Sequence, residues 1–388
     1  MKIYEITLES LGPVFVGSGE ILKKSDYIYD RKEGRVYIPD ERKMINWIVA
    51  NNLSNSYENF FYYNKNKTKD LYNWFKLNNV LGSYKKFMKY SLPVGDLSRD
   101  KRKGLNDIQL FIKGGDGKAY IPGSSLKGAI RNILFAEKNR FSDPQYFTDY
   151  INKKENIDSI EKKAVREDEN SFKIKVNDKD FVDMMSYLLI SDSEPIDLKN
   201  FVVVQKIDKN VKGRESSIST FRECIKPGTK IKFQMKIKDE FEMNIEDIKS
   251  AIEKFYNDID YYFLQEFGVE EREGAFIYLG GGTGFVSKTS TYSVLGDNEE
   301  SIDIVGKILS QRTDSRHMKW TKMNNIAPQA LKLTKYKNEY YEMGLCKIYF
   351  KEVKIWDVNK PRKGTVIFQL LGSRKHPLYC PWKKEKPQ

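Results

Sequence analysis

Residues 120–134, YIPGSSLKGAIRNIL, give the clearest fold signal in the sequence. A strand pattern stops at Pro122-Gly123, and a serine follows that is suited to cap a helix. Apolar residues then recur at helical spacing, at Leu126, Ile130, Ile133 and Leu134. Lys127 and Arg131 are four residues apart and share another face, close to the free N–H groups of the helix start. This arrangement suits a phosphate; the alternative is an ordinary capped helix with solvated basic side chains.

Residues 279–289, LGGGTGFVSKT, form a second distinctive segment. Its four glycines allow the backbone to approach a ligand closely, and Lys288 adds a positive charge. Ser287 stands where a P-loop needs a glycine before its lysine, and also where the dinucleotide fingerprint needs its third glycine. Nucleotide hydrolysis is therefore disfavoured. A loop that holds a nucleic-acid backbone and a plain structural turn are both open interpretations.

Residues 213–224, GRESSISTFREC, are polar and strand-like, with two arginines and one aromatic residue. Arg214 and Arg222 offer guanidinium groups that fork onto phosphate, and Phe221 offers a ring that can stack on a base or wedge between bases. The alternative is a solvent-exposed hairpin with neither role.

Strand and helix patterns alternate along the chain and predict an α+β fold with antiparallel pairing, such as ferredoxin-like units. Hairpins are expected at residues 27–38, with Asp40 capping the next helix, and at 108–121. Further strands are expected near 188–191, 200–207, 229–237 and 275–279, and a helix at 245–267. Residues 140–180 are dense in charge and predict an insertion. The length, 388 residues, favours two domains.

The composition suits binding to a polyanion with bases that can stack. Lys and Arg number 67 against 54 Asp and Glu, which gives a net charge of +13, and the chain contains 24 Tyr, 22 Phe and 5 Trp. An AT-rich genome would produce the same bias, so composition alone leaves the matter open. No apolar stretch is long enough to cross a bilayer. The three scattered cysteines, Cys224, Cys346 and Cys380, favour a reducing cytoplasm over a disulfide framework.

A catalytic centre is hard to assemble from this sequence. Its two histidines, His317 and His376, lack the partners that zinc or a Ser-His-Asp arrangement requires. Carboxylates remain as metal ligands, although each of them is more simply a cap, a turn residue or a surface charge. The candidates are Asp26, Asp30, Asp96 and Asp107.

Three blocks resemble the signature segments of the RAMP superfamily, and they occur in the same order. They are residues 11–19 (LGPVFVGSG), residues 120–131 and residues 280–289. Shorter blocks further resemble the fifth subunit of the type III-A Csm CRISPR effector complexes, at residues 26–30, 105–107, 190–193, 222–225 and 344–347.

The resemblance implies two ferredoxin-like (RRM-like) domains with insertions and β-hairpin extensions. Residues 1–190 would form the N-terminal domain, which carries the charged insertion near 140–180. Residues 191–355 would form the C-terminal domain with the glycine-rich loop. Residues 356–388 would be a basic tail, to which the resemblance assigns no role.

The resemblance also implies an RNA-binding subunit that caps the backbone filament and binds the crRNA 3′ region. Such a subunit supports crRNA maturation and complex assembly in antiviral defence. Its partners would be crRNA and neighbouring RAMP backbone subunits, with target RNA and the host ribonucleases that trim crRNA as further candidates. No cofactor, metal or membrane is implied.

The phosphate-contacting positions that the resemblance implies lie in three groups. They are Gly17, Ser18 and Gly19; Ser124, Ser125, Lys127 and Arg131; and Gly281, Gly282, Gly284 and Lys288. Asp26 is the nearest counterpart of the aspartate with which backbone subunits cleave target RNA, but its setting departs from that pattern. A non-catalytic role is therefore favoured. The alternative is a RAMP-type endoribonuclease that processes crRNA or cleaves target RNA, and the scarcity of histidine counts against it.

Overall fold

The computed structural model describes residues 1–62, 69–97, 105–139, 173–177, 180–296, 298–312 and 316–354. Residues Met1–Glu352 form one compact unit. Most of the insertion predicted near 140–180 lies outside the described residues. The same is true of the whole predicted tail at 356–388, which includes His376 and Cys380.

The strands are named in chain order. They are β1 (Lys2–Ser10), β2 (Gly17–Leu22), β3 (Ile28–Asp30), β4 (Arg35–Pro39), β5 (Met88–Pro93), β6 (Ile108–Phe111), β7 (Lys173–Asn177), β8 (Asp180–Asp183), β9 (Leu188–Ile190), β10 (Phe201–Asn210), β11 (Glu215–Ile225), β12 (Lys230–Ile237), β13 (Phe276–Tyr278), β14 (Ala330–Tyr336), β15 (Glu339–Glu342) and β16 (Leu345–Glu352).

The α-helices are named in the same way. They are α1 (Glu41–Ala50), α2 (Ser54–Tyr62), α3 (Leu71–Leu77), α4 (Gly123–Lys138), α5 (Ile245–Ile259), α6 (Thr291–Leu295), α7 (Asn298–Arg312) and α8 (Arg316–Asn324). In the described part of the chain, no helix is both long and apolar enough to span a membrane.

The first main sheet has five antiparallel strands in the order β13-β16-β1-β12-β9. The first strand, β1, lies at its centre, and its side chains alternate between the core and the other face. Tyr4, Ile6 and Leu8 are each at most 3% exposed, as the period of two in a strand requires. α4 and α5 pack on each other, α4 contacts β9, and α5 contacts β13, so the pair of helices covers this sheet.

The second main sheet has six strands in the order β15-β14-β10-β11-β6-β2. Its pairs are antiparallel except for β11 and β6, which run parallel. Both main sheets take strands from before and after residue 190. The predicted α+β class is confirmed, and so are the strands predicted near 188–191, 200–207, 229–237 and 275–279.

A smaller sheet, β3-β4-β5, carries the helices α1 to α3 and a separate apolar cluster. The hairpin predicted at residues 27–38 is confirmed by the pairing of β3 with β4. The helix cap predicted at Asp40 is also confirmed, because its carboxylate accepts the Lys43 N–H at 3.0 Å. Met44, Ile48 and Phe75 are buried in this cluster.

The helix predicted at 245–267 is confirmed, with a change of winding in its last turns. After α5 the chain continues as a π-helical turn, Asp260–Leu264, and a 3-10 turn, Gln265–Phe267. Asn244 and Asp247 form a reciprocal capping box at its start. The predicted apolar face is buried, at Ile248, Ile252, Phe255, Ile259 and Phe263.

The hairpin predicted at residues 108–121 is confirmed only at its turn, where Lys113 and Ala119 form an antiparallel bridge and the Gly114 N–H donates to the Lys118 carbonyl at 2.9 Å. Its longer pairing is wrong, because β6 pairs with β2 and β11, and Ala119 forms a second bridge with Ile196. The reason is tertiary: the Ile121 N–H donates to Ser193 Oγ at 2.9 Å, and the Ile196 N–H donates to the Ala119 carbonyl at 2.8 Å.

Candidate nucleic-acid interface

The glycine-rich loop after β13 is fixed to the segment that precedes β2. The Gly281 N–H donates to the Phe15 carbonyl at 2.7 Å. Gly280 has φ +87°, and a Cβ there would lie 2.0 Å from the same carbonyl oxygen. Only glycine permits both this backbone conformation and this contact. The two blocks that the sequence singled out at 11–19 and 280–289 are therefore adjacent.

Farther along, the loop crosses the second main sheet with its backbone close to two cations. A Cβ on Gly282, at φ +91°, would lie 3.0 Å from Arg222 Nη1. A Cβ on Gly284, at φ +99°, would lie 3.1 Å from Lys332 Cγ. The glycines thus allow the loop backbone to lie directly against these basic side chains.

Arg222 is the best-oriented cation of the group. Its Nε donates to Gln109 Oε1 at 2.9 Å, and its guanidinium lies 5.4 Å from the centre of the Phe15 ring. Its Nη1 is buried and has no hydrogen-bond partner among the described residues. Burial lowers the pKa of this guanidinium. A buried guanidinium nitrogen that lacks an acceptor is a position where an anionic oxygen is favoured.

The surroundings of Arg222 carry an excess of positive charge. Burial, and next the Lys332 charge, lower the pKa of Lys206, while partial desolvation and the Arg222 charge lower the pKa of Lys288. Asp208 opposes them, 2.6 Å from Lys332 and 3.7 Å from Lys206. We call Lys206, Arg222, Lys288 and Lys332 the cation cluster. Four cations around one carboxylate attract a polyanion.

A second carboxylate near the loop, Glu342, is already neutralised. It lies 2.7 Å from the Arg272 guanidinium and also accepts the Tyr278 hydroxyl. Burial, followed by the Glu342 charge, raises the pKa of Tyr278. This buried network supports the loop from below and does not reduce the excess charge of the cation cluster.

The first glycine turn meets this interface through Gly17. A Cβ on Gly17 would lie 2.9 Å from the Phe15 ring, which packs under the loop and Arg222. Ser18 and Gly19 are exposed on β2, and Ser18 Oγ lies 3.4 Å from the Leu110 carbonyl. The structure therefore brings together Gly17, Gly281, Gly282, Arg222 and Lys288.

α4 begins differently from the prediction. The serine cap is wrong: the helix starts at Gly123 with Pro122 as its N-cap and no side-chain cap, so Ser124 and Ser125 lie in the first turn. Asp192 Oδ1 instead accepts the Gly123 N–H at 2.8 Å. A Cβ on Gly123 would lie 2.3 Å from the Ile190 carbonyl oxygen, so the helix start packs directly against the end of β9.

Lys127 and Arg131 form a second basic group on α4. Arg131 pairs with Asp183 at 3.1 Å, and burial lowers the pKa of Lys127, with Asp183 and Arg131 as its charged neighbours. Lys288 has Arg222 as its charged neighbour instead. The pair Lys127 and Arg131 on α4 is therefore a separate basic group from the one around Arg222. A phosphate contact at either group stays a prediction.

Two other residues of the 213–224 segment were predicted to contact RNA, but their side chains do not join Arg222. Phe221 is 3% exposed, so its ring packs in the core, and a stacking role for it has no support. Strand alternation explains this, because adjacent residues of β11 face opposite sides of the sheet. Arg214 is exposed in the β10–β11 turn, where its N–H donates to Asn210 Oδ1 at 2.9 Å.

Asp26 closes a turn. Its carboxylate accepts the Lys23 N–H and the Ser25 hydroxyl, each at 2.7 Å. The other candidate acids also have local contacts: Asp30 with Tyr84, Asp96 with the Asn338 N–H, and Asp107 with Lys23. Across the described ranges, no three His, Cys, Asp or Glu side chains are placed to hold a metal.

The sequence missed Phe15, Lys206 and Lys332 as members of the interface. Phe15 lies within the recognised block at 11–19, but its role depends on the contact with Arg222. Lys206 and Asp208 are two apart on β10, and Asp208 pairs with Lys332 across the sheet. Alternating charge along a strand was the available signal, whereas the pairing with β14 could not be seen from spacing.

Comparison with known proteins agrees with the resemblance predicted from the sequence. Csm5 of the Enterococcus italicus CRISPR system is 28% identical over 390 aligned residues, which cover 91% of this chain and 98% of that protein. Csm5 of Streptococcus thermophilus is 29% identical over 301 residues, which cover 74% of this chain and 80% of that protein.

Two solved structures have a similar fold. A chain of the cryo-EM structure of a type III-A Csm–crRNA–target RNA ternary complex has a TM-score of 0.61 at 18% identity, covering 89% of this chain and all of that one. The crystal structure of T. onnurineus Csm5 has a TM-score of 0.56 at 18% identity, with coverages of 88% and 99%. The RAMP superfamily model matches residues 7–287. This match spans most of the sequence, and the chain is therefore a member of the RAMP superfamily.

Proposed function

We propose that this chain is an RNA-binding subunit of a type III-A Csm complex, which caps the backbone filament and holds the crRNA 3′ region. The Csm5 relatives support membership of such a complex, and the ternary complex with a similar chain contains both crRNA and target RNA. The observation that carries RNA binding is the cation cluster beneath the glycine-rich loop.

The chemistry of the cluster matches an RNA backbone better than it matches a base edge. Arg222 presents a buried nitrogen without an acceptor, and a phosphate oxygen supplies one. The left-handed glycines at 282 and 284 leave the loop backbone accessible, so its N–H groups can approach the same phosphate. Contacts of this kind hold RNA with little dependence on its sequence and release counterions on binding.

The proposal includes the finer architecture that the resemblance implies. It includes two ferredoxin-like units, the first contributed mainly by residues 1–190 and the second mainly by 191–355, although each main sheet takes strands from both ranges. Neighbouring RAMP backbone subunits are the partners. Target RNA and the host ribonucleases that trim crRNA are further partners in this proposal. The six-stranded sheet, which carries the cation cluster, is the surface we assign to crRNA.

RNA binding by the purified full chain tests the proposal. A fluorescein-labelled single-stranded RNA of about 30 nucleotides is titrated by fluorescence anisotropy at several salt concentrations. Affinity should fall steeply with salt, and Arg222→Gln with Lys288→Gln should weaken binding about tenfold or more. The matched control removes the same charge from two exposed helix lysines, Lys249→Gln with Lys319→Gln.

Two results would overturn the proposal. One is no binding of wild-type protein even at low salt; the other is equal weakening by the cluster and control pairs. The same RNA incubated with Mg²⁺ and with EDTA tests the endoribonuclease alternative, which requires cleavage products. Co-expression with the other complex subunits and a CRISPR array extends the test, because the cluster variants should lower the amount of crRNA that is retained.

A further inference from the structure

Two recesses lie on either side of Lys24, in the connection between β2 and β3. One measures ≈ 250 Å³ and lies between β3 and α3. The other measures ≈ 480 Å³ and extends towards β11. Lys24 lines both, so the two recesses are neighbours that share this side chain.

The smaller recess, which we call the tyrosine recess, combines aromatic rings with cations. Its lining includes three tyrosines and three basic residues: Tyr27, Tyr29, Tyr72, Lys24, Arg31 and Lys76. Tyr27 is buried, and its hydroxyl donates to the Asn106 carbonyl at 2.7 Å, so it is fixed in place. Tyr29 and Tyr72 are half-buried and present ring surface to the opening. Burial raises the pKa of Tyr29, so this phenol stays neutral.

The charge of the tyrosine recess is not balanced from within. Among the described lining residues there is one carboxylate, Asp70. Asp70 already serves as the N-cap of α3, where it accepts the Asn73 N–H at 3.2 Å. Three cations thus lie beside aromatic surface that the described side chains leave partly exposed. Aromatic faces beside phosphate-binding cations are the combination with which proteins hold single-stranded nucleic acid.

The larger recess joins this place to the cation cluster. It adds Lys69, the ion pair of Lys23 with Asp107, and the hydroxyl groups of Ser219 and Thr220 on β11. Thr220 is two residues before Arg222 on this strand, so the recess reaches the part of β11 that carries the cation cluster. A strand of RNA that contacts Arg222 therefore has a basic and polar path to the tyrosine recess.

We propose that the tyrosine recess binds one unstacked nucleobase of single-stranded RNA, with the adjoining phosphates on Lys24 and Lys76. This inference rests on the proposed RNA-binding function and adds to it a second contact point. The volume, ≈ 250 Å³, lies just below the range of about 300–1,000 Å³ that is usual for small-molecule sites. It therefore suits a single base and excludes a duplex, whose bases are stacked on one another.

The first experiment compares RNA with and without bases on the full chain. Binding of a labelled 12-nucleotide uridine RNA and of a matching abasic RNA is measured by anisotropy for wild type, Tyr72→Leu and Tyr72→Phe. Loss of one stacking contact weakens binding about tenfold. Tyr72→Leu should show this loss with the uridine RNA and no change with the abasic RNA. Tyr72→Phe should behave as wild type, because its ring remains.

The matched control is Tyr261→Leu, which removes a tyrosine that is 67% exposed on another element. This variant should leave both affinities unchanged. Melting temperatures of all variants show whether each one is folded at the temperature of the assay.

The second experiment needs no variant. Wild-type chain is irradiated with RNA that contains 4-thiouridine, and the crosslinked peptides are identified by mass spectrometry. Crosslinks at Tyr29 or Tyr72 are expected. If wild type binds RNA but crosslinks only elsewhere, or if Tyr72→Leu and Tyr261→Leu bind alike, the inference is wrong while the proposed function stands. If wild type binds no RNA at all, the proposed function itself fails.

Discussion

Replacing Gly282 by valine should weaken RNA binding by more than its effect on folding explains. The backbone at Gly282 has φ +91°, where a β-branched residue is strained by about 1–3 kcal/mol. Its Cβ would also lie 3.0 Å from Arg222 Nη1 and 3.4 Å from Met343 Cε, and the two methyl groups of valine extend beyond that atom. Arg222 must therefore move from its place between Phe15 and Gln109.

The size of the effect follows from what Arg222 loses. A hydrogen bond to a charged group contributes about 1.5–3 kcal/mol, so a displaced Arg222 should raise the Kd for RNA about 10- to 150-fold. Gly228→Val is the matched control, because Gly228 has φ +81° and no atom within 4 Å of an added Cβ. It carries the backbone strain without the contact.

The measurements are anisotropy titrations with single-stranded RNA and thermal unfolding followed by circular dichroism, for both variants and wild type. Similar losses of melting temperature are expected for Gly282→Val and Gly228→Val, with the loss of RNA affinity confined to Gly282→Val. If both variants bind RNA alike, or if folded Gly282→Val keeps the wild-type affinity, the loop is a structural turn and the assignment of Arg222 to RNA is wrong.

Three further outcomes are expected. Lys113→Met should lower the free energy of unfolding by about 3–5 kcal/mol in urea denaturation, because it removes the cation that lies 2.7 Å from the fully buried Glu223. The double variant with Glu223→Gln should recover part of that loss. Lys127→Ala with Arg131→Ala should weaken crRNA retention with unchanged circular dichroism, since both lie off the buried face of α4; equal retention would mean that they are merely solvated. Burial raises the pKa of the Cys346 thiol to about 12, so as the pH rises the thiol of the unfolded chain is deprotonated first. The free energy of unfolding should therefore fall above about pH 8.5. Denaturation midpoints measured between about pH 8 and 10.5 should decline less for Cys346→Ala than for wild type.

The sequence was sufficient for the periodicity of the helices and for the cap of α1. The face of α4 predicted from the spacing of Leu126, Ile130, Ile133 and Leu134 is buried at all four positions. Asp40 caps α1 and the apolar stripe of α5 faces the core, as predicted. In each case the residues that form the feature lie within one helix or directly before it, so the periodicity and the cap residue decide it.

The sequence was insufficient where strands from distant parts of the chain meet. The cap of α4 comes from Asp192, which follows Gly123 by 69 residues, and no local pattern signals that contact. The cation cluster forms because β10 pairs with β14 and β11, which brings Lys332 and Arg222 beside Lys206. Phe221 could have been assigned correctly, since alternation along a strand places it opposite Arg222.

The central position of β1 has a consequence for synthesis of the chain. Ser10 contacts Thr229, 219 residues later, and Glu9 contacts Tyr349, 340 residues later. At about 5–20 residues per second, the ribosome needs roughly 20 seconds to a minute between making β1 and making β16. Until β12 is made, Tyr4, Ile6 and Leu8 lack both neighbouring strands, and until β16 is made they lack one of them. A nascent chain of this topology is open to aggregation, and a product terminated before β16 retains an unpaired edge on its first strand.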